Sequence, residues 1–123
     1  MPETLCQGVA AHDVCFLQTR LSVLEGVFQT GAATTLQGIT PDEGIYARMY
    51  TALAALHRGD PSGGWDAFFD PTMAATPEAG IRWSNVIVSG HSQGGGHAAL
   101  IARTHAVQRA ITFSELPPAT RTV

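Results

Sequence analysis

The chain has 123 residues, is 45 % hydrophobic and 14 % charged, and carries a net charge of −3. That composition excludes a disordered polymer, and no apolar run approaches the ~20 residues that a membrane helix needs. Every one of the seven basic residues is arginine and none is clustered, which argues against nucleic acid or anionic lipid as the main partner.

At this length a single domain spanning 1–123 is expected. The opening Met1-Pro2-Glu3-Thr4 lacks the basic start and apolar core of a signal peptide, so the chain is expected to stay in the cytoplasm. Residues 1 to 13 are aperiodic and read as coil. Cys6 and Cys15 lie nine positions apart, and a disulfide and two free thiols both remain open. A metal site is not expected, because the cysteines form no C-x-x-C pair and His12 adds only a third candidate ligand.

Val14 to Val27 is apolar with polar residues interspersed, and its periodicity fits a buried strand or a short helix. Phe28 to Gly38 reads as a loop. A helix is then predicted with clear punctuation: Thr40 as N-cap, Pro41 at the first helical position, Asp42 in the first turn and Glu43 completing a capping box. Ile45, Met49, Ala52, Leu53 and Leu56 form its apolar stripe, Tyr46 and Tyr50 cover the edge of that stripe, and Gly59 ends the helix. Asp60 to Gly64 is a turn, Trp65, Phe68 and Phe69 an aromatic cluster capping one end of the core, and 70 to 80 a loop.

A strand is predicted at Asn85 to Ser89, a helix from Gln93 to His105 whose Ala98, Ala99, Leu100 and Ala102 suit close packing, and a strand at Ala110 to Phe113. Strand, helix and strand in this order make a parallel unit. Pro117 and Pro118 end regular structure. Gly95-Gly96 lack the Lys-Ser/Thr of a phosphate loop and do not fit a dinucleotide fingerprint, so no cofactor is expected.

Between the first of these strands and its helix lies Gly90-His91-Ser92-Gln93-Gly94, a G-x-S-x-G sequence. Reversing the chain within about one residue strains the backbone at Ser92, and glycines two positions before and after it let strand and helix close. The serine hydroxyl is then held clear of the sheet, and the helix N-terminus lies beside any oxyanion formed on a substrate carbonyl. The Gln93 amide is the first candidate donor to that oxyanion. The competing reading is a glycine-rich turn whose serine is only an N-cap.

Trp83 to Ala99 and the strand at Ala110 to Phe113, with Cys15-Phe16-Leu17-Gln18-Thr19-Arg20 upstream, resemble the α/β-hydrolase superfamily, and within it a group of bacterial serine hydrolases with a Gly-His-Ser-Gln-Gly-Gly elbow. The resemblance implies an α/β fold with a small, mostly parallel sheet, Ser92 as nucleophile, the Gln93 amide as half of an oxyanion hole, and small ester substrates. In that superfamily the acid and the catalytic histidine follow the serine. Only 31 residues follow Ser92 here, with Glu115, His97 and His105 as candidates. The sequence therefore reads as one truncated hydrolase-like domain.

A serine hydroxyl needs a base at neutral pH. His91 flanks Ser92 but is expected to pack beneath the turn. His97 lies one turn down the helix, and His105 is roughly 18 Å away on a rise of about 1.5 Å per residue. His12 and His57 are the other histidines; Asp66, Asp70 and Glu115 are the carboxylates able to orient one. The expected function is a serine-dependent esterase, with a non-catalytic hydrolase remnant acting as an interaction module as the alternative. A short sheet leaves edges unpaired, so a homo-oligomer is expected.

Overall fold

The computed structural model describes residues 6, 12–72 and 75–113. They form three α-helices, α1 (His12–Glu25), α2 (Ile45–Gly59) and α3 (Gln93–Thr104), and one parallel sheet of two strands, β1 (Ile87–His91) and β2 (Arg109–Phe113). The architecture is mixed α/β, divided into two compact units, Met1–Arg82 and Trp83–Val123. The coil expected through residue 11, Glu115 and the stop at Pro117-Pro118 lie outside the described residues.

In the first unit, the segment expected at Val14 to Val27 is helical as far as Glu25, and the helix begins at His12 rather than after a coil ending at 13. Buried Cys15, Thr19, Ser22 and Gly26 recur at intervals of four, three and four, the spacing of one helical face. The hydroxyls on this face are satisfied. Ser22 donates to the Gln18 carbonyl at 2.8 Å and accepts the Gln29 amide at 2.9 Å, while Thr19 accepts the Ala33 amide at 2.9 Å. Cys6 and Cys15 form a disulfide.

Gly26 ends α1 with φ +71°. A Cβ there would lie 2.6 Å from the carbonyl oxygens of Thr40 and Pro41, and one on Gly44 would lie 2.5 Å from the Gly26 nitrogen. This pair of glycines lets the end of α1 touch the start of α2.

The helix expected from Thr40 is interrupted. Thr40, Asp42 and Glu43 close a single 3₁₀ turn over Pro41–Glu43, in which the Thr40 amide donates to Glu43 Oε1 at 2.8 Å. Gly44 is then extended, and α2 starts at Ile45. The burial of α2 is centred on Tyr46 and departs from the expected stripe, of which Ile45, Met49 and Leu53 are half-buried. Leu56 is 44 % exposed and Ala52 is exposed, whereas Tyr46, expected at the edge, is buried, and Tyr50, Leu53 and His57 follow it inward. Tyrosine buries its ring while its hydroxyl finds a partner: Tyr50 donates to the Asp70 carbonyl at 2.8 Å.

Of the expected aromatic cluster, Phe69 alone is deeply buried, meeting the edges of Tyr50 and His57 at 5.3 and 5.8 Å. Trp65 and Phe68 are only half-buried. The 70–80 segment is held at its ends where Phe69 bridges Ile81.

In the second unit, Trp83–Asn85 is a 3₁₀ turn, so β1 starts two residues later than expected and runs through His91. The helix ends at Thr104, with His105 as its cap, and β2 begins at Arg109. Ile87 pairs with Arg109, Ser89 with Ile111 and His91 with Phe113. Side chains alternate across a sheet. Val88, 8 % exposed, lies on the side covered by α3, and Ile87, Ile111 and Phe113 lie on the other, 52, 38 and 55 % exposed.

Candidate functional site

Ser92 links β1 to α3 with φ 56° and ψ −115°, and among the described residues it is the one non-glycine with positive φ. An L-residue reaches this region at a cost of order 1–3 kcal/mol, so the surrounding structure must impose it. Three contacts do so. The Ser92 amide donates to the Phe113 carbonyl at 2.8 Å, and the Ser92 carbonyl accepts the amides of Gly95 and Gly96 at 3.0 and 3.3 Å. The chain is thereby fixed to β2 on one side and to the first turn of α3 on the other.

Gly90 has a direct steric reason. A Cβ there would collide with the carbonyl of Gly94 and the nitrogen of Gly95 at 2.1 and 2.6 Å. Gly94 corrects the expectation that both flanking glycines relieve crowding: a Cβ on it meets nothing within 4 Å among the described residues. Ser92 does occupy the N-cap position of α3, but its side chain makes no capping hydrogen bond. Its hydroxyl has no hydrogen-bond partner among the described residues. Gln93 opens α3, which places its amide beside that hydroxyl in the chain.

The histidines fall on different elements. His91 is exposed on the open face of the sheet, opposite Phe113 in register, and is not packed beneath the turn. His97 is 8 % exposed within α3. His105 stacks on Trp83, ring centroids 4.2 Å apart and planes 11° from parallel. His57 belongs to the Phe69 cluster of the first unit. His12 starts α1. Of the second unit's histidines, His91, His97 and His105, none hydrogen-bonds the Ser92 hydroxyl among the described residues.

Asp66 is exposed. Hydrogen bonds from the Thr72 hydroxyl and amide hold the Asp70 carboxyl below its usual range. No group of three or more His, Cys, Asp or Glu suited to a metal occurs among the described residues, and no described helix is long and apolar enough to cross a membrane.

No protein-family model, curated protein or solved structure matches the chain.

One concave feature went unanticipated. A groove of about 280 Å³ in the first unit is bordered by Glu25, Tyr46, Pro77 and Glu78. Burial and then the Glu78 charge push the Glu25 carboxyl up, and burial and both glutamates push up the Tyr46 phenol. Glu25 and Glu78 are 53 residues apart, so no local pattern in the sequence signals their approach.

Proposed function

We propose that the chain is a serine-dependent acyl hydrolase of the carboxylesterase type, acting on small esters through an acyl-enzyme at Ser92. The observation that carries this reading is a serine held at φ 56° between a parallel strand and a helix N-terminus, its hydroxyl not spent on capping. Such a turn costs free energy that a structural N-cap does not require.

In this mechanism Ser92 Oγ attacks the ester carbonyl and loses its proton to a base. The carbonyl oxygen, now negative, accepts the Gln93 amide, and collapse expels the alcohol with a proton. Water attacks the acyl-enzyme in the second half and regenerates the hydroxyl. The likeness of the Gly-His-Ser-Gln-Gly-Gly turn to α/β-hydrolase elbows supports the same assignment.

A second reading is favoured by one observation: His91, His97 and His105 make no hydrogen bond to the Ser92 hydroxyl among the described residues. It makes the chain a folded hydrolase remnant without a base, serving as an interaction module. A fluorophosphonate probe separates the two. Labelling of wild type but not of Ser92→Ala supports the enzyme, and no labelling of either leaves the remnant. The bare sheet face supports a homo-oligomer, which light scattering at micromolar concentration tests; a monomeric mass counts against it.

A further inference from the structure

We propose that the Cys6–Cys15 disulfide is a conditional latch, so that the first unit packs fully only where the bond is allowed to form, in an oxidising compartment and not in a reducing cytosol. The bond sits at the centre of a small buried knot. Cys6 and Cys15 are 0 and 1 % exposed and cluster with Ala33. The Thr19 hydroxyl lies 3.7 and 3.8 Å from the two sulfurs and accepts the Ala33 amide. Cys6, the face of α1 and the loop at Ala33 therefore meet at one point.

The large, fully buried side chains of this unit are few. Among the described residues, besides the two cysteines, Phe69, Leu24, Thr19 and Ser22 are the side chains below 2 % exposure. Two of those are hydroxyl residues, which contribute little hydrophobic stabilisation. A small core of this kind is the setting in which proteins use a covalent staple. Without the bond nothing covalent ties Cys6 to α1, and its departure opens the cover over Thr19 and Ala33. Formation of the latch is a two-electron oxidation. The two thiols give up two electrons and two protons to a disulfide oxidant such as oxidised glutathione, which leaves as two thiols.

Refolding the full chain in oxidised or in reduced glutathione tests the latch without any substitution. Hydrogen exchange is read at the Ala33 amide, and the state of the bond is verified by alkylation and mass. The latch requires at least about tenfold faster exchange at Ala33 in the reduced protein, recovery on reoxidation, and little change at the β1 and β2 amides. Cys6→Ala should reproduce the reduced behaviour under oxidising conditions. Equal protection at Ala33 with and without the bond overturns the proposal, as does a protein refolded under oxidising conditions in which both cysteines alkylate freely.

Discussion

The Ser92 amide and the Phe113 carbonyl lie 2.8 Å apart, so the last residue of β2 holds the backbone of the residue that follows β1. The same junction is closed from the other side by Gly90, whose missing Cβ admits the Gly94 carbonyl. Gly90→Ala should therefore cost the second unit roughly 3 kcal/mol or more, since the obstruction is backbone that cannot rotate away. Urea melts compared with wild type measure it, and an unchanged midpoint would refute the steric account.

Replacing Ser92 separates strain from chemistry. Ser92→Gly relieves the positive φ and should stabilise the protein by about 1 kcal/mol. Ser92→Ala keeps the strain and should stay within about 0.5 kcal/mol of wild type. Both abolish fluorophosphonate labelling if Ser92 is the nucleophile. A glycine variant less stable than the alanine one would mean that the turn is not strained.

The strand, turn, helix and strand of the second unit were legible because each carries local punctuation: an apolar run, a glycine at the crowded point, a stretch of small residues. α1 was ambiguous for a physical reason. Apart from Leu24, its buried residues Cys15, Thr19 and Ser22 are small and partly polar, and hydropathy does not register a face satisfied by hydrogen bonds. α2 misled in a different way. Counting methyl groups favours the line through Ile45, Met49 and Leu56, but Leu56 is exposed and the buried residue of α2 is Tyr46, whose ring carries more area. The capping box was real and closed only a 3₁₀ turn, because extended Gly44 stands before the helix. The strained turn at Ser92 was readable from five residues, whereas what approaches its side chain depends on tertiary packing that no local pattern encodes.

Thr19 is the polar residue on which α1 and the Ala33 loop depend. Thr19→Val keeps the shape but leaves the buried Ala33 amide without its acceptor, and should cost about 1–3 kcal/mol. Thr19→Ser keeps the oxygen and should cost less than the valine variant. Thermal melts of the pair distinguish the hydrogen bond from packing, and the reverse ranking would rule the bond out as the dominant contribution.

Glu25 gives a pH dependence of known sign. Its folded carboxyl titrates above its ordinary range, so ionisation costs the folded state more than the unfolded one. The stability it contributes is present at low pH and is lost as pH rises through the ordinary carboxylate range to the raised value. Glu25→Gln should be more stable than wild type at about pH 7, by no more than about 0.5 kcal/mol because water screens the site. Near pH 3, where both are neutral, the difference should vanish. A variant less stable than wild type at neutral pH would contradict the repulsion between Glu25 and Glu78.

The bare side of the sheet also sets a ceiling on solubility. Ile87, Ile111 and Phe113 offer a sticky surface beside a strand exposed along its whole length, and a net charge of −3 supplies little long-range repulsion to keep molecules apart. Precipitation should be fastest near pH 5.9, where that repulsion vanishes. A charge placed at Phe113 would raise the ceiling while leaving untouched Val88, the buried residue on the helix side of β1.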